Sequence, residues 1–164
     1  MQILTLGNTL LHQKAEKIDK IDDEIIDLAN KMLEILVRDN GIGVAGPQIG
    51  IMKRIFVTHI PNDEARVYIN PSILETSIKT VKFEEGCLSV PGVYSNVKRP
   101  HIIKIQAWNE KGRPFTLETG GLLARVILHE YDHLEGVLFI DRIPENKRNK
   151  LVEKYDKTCQ KGKI

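Results

Sequence analysis

The chemistry-bearing residues of this chain concentrate in His129-Glu130-Tyr131-Asp132-His133, two imidazoles four residues apart with a carboxylate directly after the first. In a helix, residues four apart stand one turn above each other on the same side, so both rings reach one ion. Glu130 points roughly 100° away from His129 and still has the length to meet a water on that ion. The competing reading makes His129 and His133 buried, hydrogen-bonded histidines and Glu130 a surface carboxylate. The pair with an acid between them, on the most apolar helix of the chain, favours the metal. Two imidazoles alone make a leaky site, so a third protein ligand is required. No His lies downstream, and Cys159 sits in a charged tail. Upstream, Cys87 stands in Glu84-Glu85-Gly86-Cys87-Leu88-Ser89, and a thiolate is a strong ligand for soft or borderline divalent metals. Cys87 is therefore the expected third ligand, against its alternative as an inert core thiol. Three protein ligands leave the fourth position of a tetrahedral ion to water, and the expected chemistry is hydrolysis, with Glu130 carrying the proton from water to a leaving amine.

A second segment, residues 41–50, spends four glycines and a proline in ten positions with aliphatic side chains between them. It lacks the Lys-Ser or Lys-Thr of a phosphate loop and the preceding strand of a dinucleotide fingerprint. Two readings stay open on composition: a tight apolar connection, or a backbone edge that binds an extended substrate while Gln48 reaches inward as an uncharged donor to a developing oxyanion.

These residues need elements to hold them. The spacing of Ile25, Leu28, Ala29, Met32, Leu33, Ile35 and Leu36 predicts a one-sided helix over 22–38, stopped by Asp39-Asn40-Gly41. Short runs rich in Ile, Val, Phe and Thr at 54–60, 66–70, 78–83, 101–109 and 114–119 predict antiparallel strands. Asn109-Glu110-Lys111-Gly112 and Asn62-Asp63-Glu64 are the expected hairpin turns. After Gly120 and Gly121, Leu122, Val126, Ile127 and Leu134 mark a helix that crosses the interior and ends near Glu135. Arg125, Glu130 and Asp132 are then interior charges that need a reason. A third helix over about 144–157 is anchored by Leu151, Val152 and Tyr155 and frays at its end.

Composition sets the frame. The 164 residues, 41% apolar and 28% charged, fit one domain, 1–164, with a core large enough to need no structural metal or disulfide. Net charge is +2, from 24 Lys and Arg against 22 Asp and Glu, too balanced for a nucleic-acid binder. The excess sits in a basic tail at about 144–164: residues 141–164 hold 8 Lys and Arg against 4 Asp and Glu. No apolar run approaches the roughly 20 residues a membrane crossing needs, and the start of the chain has neither a basic leader nor a small-residue cleavage site, so a reducing cytoplasm is expected for its two cysteines.

Three segments together, GIGVAGPQ at 41–48, EGCLS at 85–89 and HEYDHLEG at 129–136, resemble peptide deformylase, the metallohydrolase family that removes the formyl group from the N-terminal methionine of new bacterial-type proteins. The likeness covers nearly the whole chain. It implies an α+β fold with antiparallel sheets wrapped around the central HExxH helix. It implies further that Cys87, His129 and His133 hold the metal, that Glu130 is general base and acid, and that Gln48 with the Leu88 backbone N–H forms the oxyanion site.

An apolar slot for the methionine side chain is expected from Leu122 and Val126, on the helix face of His129, with Ile42, Gly43, Phe83, Gly86 and Leu88 from the flanking motifs; Tyr94 walls the groove. Two positions depart from the family's pattern: Leu128 where Gln is common, and Arg125 at a usually aliphatic place. Arg125, one turn before His129, is expected at the mouth of the site, meeting a peptide carbonyl or carboxylate, or snorkelling to solvent. One thiolate and two imidazoles suit Fe(II), Zn(II), Co(II) or Ni(II), and the resemblance implies Fe(II) in the cell. The expected partners are the N-formylmethionyl nascent peptide and, through the basic tail, the ribosome, with no DNA and no membrane. Another HExxH peptidase or amidase, and a non-catalytic zinc-stabilised peptide-binding protein, are the alternatives.

Overall fold

The computed structural model describes residues 1–162; the last two positions of the basic tail lie outside them. The predicted first helix is α1, Asp23–Arg38, whose start is fixed by Asp22, the side chain of which accepts from the Ile25 N–H at 3.1 Å. Its apolar stripe buries Leu28, Ala29, Met32, Ile35 and Leu36, and Asn40, with φ 52°, turns the chain away at its end.

Five strands form one antiparallel sheet in the order β1 (Gly43–Ala45), β2 (Ile55–Thr58), β3 (Arg66–Thr76), β6 (Ile102–Trp108) and β7 (Pro114–Gly120). The other two, β4 (Thr80–Cys87) and β5 (Val90–Pro100), pair with each other in a separate hairpin. Strand β2 is buried at all four positions because the sheet is covered on both faces. Ile55 and Val57, with Val67 and Ile69 of β3, pack against Met32, Ile35 and Leu36 of α1. Phe56 and Tyr68, with Ile103 and Ile105 of β6, pack on the other face against Ala124, Ile127 and Leu134 of α2 (Gly121–Leu134).

The other side of α2 meets the hairpin and the 3₁₀ turn Phe139–Arg142, which follows the helix. A third core, of Leu11, Val90, Val93, Val97, Phe139 and Ile140, fills that side, and it is closed from behind by Tyr155 of α3 (Glu145–Gln160), with Leu151 and Val152 alongside. The HExxH helix thus runs between the sheet and the hairpin. Among the described residues no helix is long and apolar enough to cross a membrane.

Both expected turns join antiparallel strands: residues 109–112 connect β6 to β7, and residues 62–64 lie between β2 and β3. The sequence reading differs from the structure in extent, since β3 runs on past the predicted end at 70 to Thr76, and in kind at two places that bear on the site. Strand β5, eleven residues long, sits where no strand is predicted, because Pro91, Gly92, Ser95, Asn96 and Lys98 interrupt the apolar signal; its inward positions still alternate as Val93, Ser95, Val97 and Arg99. The glycine segment contains β1, too short to register as a period, followed by the 3₁₀ turn Gly46–Ile49.

Candidate active site

Cys87 ends β4 at a point where the hairpin register slips: Gly86 pairs with Tyr94, whereas Cys87 pairs with Val90. Such a bulge re-aims the side chain that follows it. The thiol lies 3.4 Å from His133 Nε2, and ligand atoms of Cys87, His129 and His133 all fall within 4.8 Å of one another. Tetrahedral coordination with bonds of 2.0–2.3 Å separates its donors by roughly 3.3–3.6 Å, so the three residues fit a divalent ion. The Nδ1 of His129 is held by Glu85 Oε1 at 2.8 Å, which leaves Nε2 to face the site. His133 Nδ1 is buried with no hydrogen-bond partner among the described residues.

The electrostatics favour a cation here. Burial opposes charging His129, but its contacts with Cys87 and Glu85 lift its pKa well above the ordinary imidazole value. A divalent ion would feel the same pull. His133, pushed well down by burial and by the nearby His129 and Arg99, is a neutral imidazole, the form that ligates metals. Glu130 is buried on the same helix; burial raises its pKa to about 7, with His129 pulling it back. Its Oε2 has no partner among the described residues, and an orphaned carboxylate oxygen beside three donors is the acceptor a reacting water would fill. Strand β1 presses against it: a Cβ added at Gly43 would come within 2.5 Å of Glu130 Oε1. Only glycine leaves the carboxylate room.

Gln48 is buried and fixed at both ends of its amide. Its Oε1 accepts from the Ala45 N–H at 2.9 Å, so its Nε2 is turned toward the site, donating to Ser89 Oγ at 3.1 Å and lying 3.5 Å from Cys87 Sγ. The Leu88 N–H meets no acceptor among the described residues. Gln48 Nε2 thus lies beside the donor cluster, where an uncharged donor suits negative charge developing on a carbonyl.

A cleft of about 500 Å³ opens over this cluster. Ile42, Gly43 and Gln48 line one wall; Phe83, Gly86, Cys87, Leu88 and Tyr94 line the hairpin wall; Leu122, Arg125, Val126, His129 and Glu130 come from α2. Every predicted site residue is thus gathered at one place, with His133 behind the others. Ile42, Phe83, Tyr94 and Leu122 form an exposed apolar rim, while Val126 is buried deeper. Gly86 lets Tyr94 lie flat on the strand, since a Cβ there would meet the ring at 2.6 Å.

Arg125 departs from its expected role. Its side chain is 10% exposed and turns inward, where Nη1 donates to Glu85 Oε2 (2.6 Å) and to the Val97 carbonyl (2.9 Å), and Nη2 to the Val81 carbonyl (2.7 Å). It does not snorkel, because Glu85 supplies a carboxylate nearer than solvent. Leu128 packs on the core beneath the sheet.

Sequence reasoning gave no role to Glu85, Ser89, Arg99 or Arg142. Glu85 accepts from Arg99 twice (2.7 and 2.9 Å), from Arg125 and from His129. Burial would raise its pKa, but the bonds from His129 and Arg99 hold it well below the usual carboxylate range. Asp132 accepts from Arg99 (2.9 Å) and from Arg142 (2.7 and 3.0 Å), which is the reason for the interior charge flagged on α2. Arg99 occupies the inward phase of β5, where an arginine requires a buried anion, but that phase is visible only once the strand is known.

The family described as polypeptide deformylase matches residues 1–149. A peptide deformylase of Borreliella burgdorferi is 46% identical over 157 residues, 94% of each chain, and one of Clostridium botulinum is 50% identical over 136 residues, 83% of this chain and 91% of that one. The crystal structure of peptide deformylase from Ehrlichia chaffeensis superposes with a TM-score of 0.95 at 32% identity, covering 100% of this chain and 99% of the other. That of Synechococcus elongatus in complex with actinonin gives 0.90 at 41% identity, over 95% and 86%.

Proposed function

Since this chain belongs to the polypeptide deformylase family and is an enzyme of that kind, we propose that it hydrolyses the N-formyl group from the N-terminal formyl-methionine of nascent polypeptides, releasing formate. The observation that carries the residue-level reading is the buried Glu130 carboxylate, its Oε2 without a partner among the described residues, beside three metal-ligating side chains at the base of an open, apolar-rimmed cleft.

Cys87, His129 and His133 would hold one divalent metal, Fe(II) in the cell, with Zn(II), Ni(II) or Co(II) able to replace it. When bound, the ion supplies Lewis acidity and lowers the pKa of water. Glu130 takes a proton from the attacking water and delivers it to the departing amine, a role suited to a carboxyl with a pKa of about 7. Gln48 Nε2 and the Leu88 N–H donate to the oxyanion that forms on the formyl oxygen; because the Ala45 N–H fixes the Gln48 amide, that side-chain donor is already oriented. Glu85 holds the ring plane of His129.

The methionine side chain fits between Val126, Leu122, Ile42, Phe83 and Leu88, and the following residues run past Tyr94. Burying a side chain of that size contributes roughly 1.5–3 kcal/mol, so formyl-Met peptides should exceed formyl-Gly peptides by about ten- to a hundredfold in kcat/KM. The cytoplasm suits this substrate and a ferrous site, and the lysines along α3 offer a surface for transient contact with the ribosome.

The test is formate release from formyl-Met-Ala-Ser by the Fe(II)-loaded protein under anaerobic conditions, beside a formyl-Gly peptide and an unformylated peptide. Rapid formate release with intact internal bonds is expected. Cleavage of internal bonds at a comparable rate would instead favour a general HExxH peptidase, and no turnover at all would favour a peptide-binding role.

A further inference from the structure

Arg125 and His129 stand one turn apart on α2 and grip the two oxygens of a single carboxylate that arrives from β4. Arg125 Nη1 reaches Glu85 Oε2 at 2.6 Å, and His129 Nδ1 reaches Glu85 Oε1 at 2.8 Å. Arg99 spans the same two oxygens from β5, Nε to Oε2 and Nη2 to Oε1. A carboxylate offers about four lone-pair sites, and these four donors fill them. The bond from Arg125 is added to the Arg99 fork, and its guanidinium is itself tied to the Val81 and Val97 carbonyls of both hairpin strands and lies over the Phe83 ring at 5.7 Å.

We propose that Arg125 is a positioning residue for His129: by saturating Oε2 of Glu85 it fixes the Oε1 that orients the imidazole, and so holds one metal ligand in its working geometry. Arg125 touches no reacting atom in this account. Without it, Glu85 keeps its charge but loses a fixed direction, and the His129 ring gains freedom about its own torsions. Outer partners of this kind typically change metal retention by about 10–100-fold. The inference rests on Cys87, His129 and His133 binding a metal, and the experiment separates the two.

The protein is loaded with Co(II), its visible spectrum is recorded, and the rate of Co(II) release to a chelator is measured for wild type, Arg125→Leu, Arg125→Lys, Glu85→Gln and the Arg125→Leu/Glu85→Gln double variant, with far-UV circular dichroism reporting the fold. Arg125→Leu is expected to release Co(II) about 10–100-fold faster with altered ligand-field bands, and Arg125→Lys, which retains one donor for Glu85, to fall between it and wild type. In the Glu85→Gln background, Arg125→Leu should add almost nothing, because its route is already cut. Wild-type bands and release rate in a folded Arg125→Leu protein would overturn the proposal, as would additive effects in the double variant. If Arg125→Leu does not fold, Arg125→Lys decides: unchanged bands and release in it overturn the proposal. A wild-type protein that takes up no Co(II) would overturn the metal site itself and this inference with it.

Discussion

The two sides of α2 are built from different physics. On the sheet side, buried side chains are almost all aliphatic or aromatic: Ile55, Phe56, Val57, Tyr68, Ile69, Ile103 and Ile105 have essentially no exposure. The buried polar contact of Thr58 Oγ1 with Tyr68 Oη there, at 3.1 Å, is neutral. On the hairpin side the described residues bury Glu85 and Arg99, and α2 itself buries Arg125, His129, Glu130, Asp132 and His133. Apolar packing is non-directional and tolerates small shifts, whereas a carboxylate filled by four donors permits one arrangement. The difference teaches that apolar cores flank the helix on both sides while the ionic cluster that defines its geometry lies on one side only, with a single helix shared between them.

That division is open to direct attack, and the heaviest blow falls on the hairpin side. Glu130→Gln removes the proton carrier without changing side-chain size and is expected to cut formate release by about 10²–10⁴-fold while metal content and the unfolding midpoint stay near wild type. Turnover within a few-fold of wild type would end the assignment of Glu130. Phe56→Ala does the converse. Phe56 is fully buried and stacks on Tyr68 at 4.5 Å between ring centres, so urea unfolding should show a loss of about 3–5 kcal/mol, with kcat of the folded fraction nearly unchanged at low temperature. A large fall in kcat there would mean that the two sides are not separable.

Gly43→Ala probes the seam where β1 meets the helix. The added methyl lands on Glu130, and a displacement of that carboxylate by an ångström is expected to cost about 10²-fold in kcat/KM, with a much smaller change in stability. Equal losses in both measurements would place Gly43 with the scaffold instead. The mildest test is Asp22→Ala. It deletes the cap on α1, far from the cleft, and should lower stability by about 1 kcal/mol with kinetics untouched.

Sequence and structure agree where a pattern is local. The His129–His133 spacing, the stripe of α1 and the turn at 109–112 each depend on residues a few positions apart, and each appears where predicted. Gln48 was legible only by family likeness, because nothing in residues 41–50 reveals that Ala45 would seize its oxygen. The ionic cluster was not legible for a related reason: Glu85, Arg99, Asp132 and Arg142 come from β4, β5, α2 and the turn after it, and their pairing exists only once the hairpin lies on the helix. Strand β5 was hidden because its inward face includes a serine and an arginine, and a strand that buries polar groups does not advertise itself by hydrophobic alternation.

The C-terminal helix carries a consequence for anyone who shortens this protein. Tyr155 plugs the rear of the same strand pair that presents Cys87 at its front, and Arg148 ties the helix to Asp141 at 3.0 Å. Cutting the chain at 148 to remove its lysines would therefore pull a wedge from behind the thiol, and a lost ribosomal association could then be confused with a loosened enzyme. Reversing the outward charges at Lys150, Lys154 and Lys157 leaves the wedge in place.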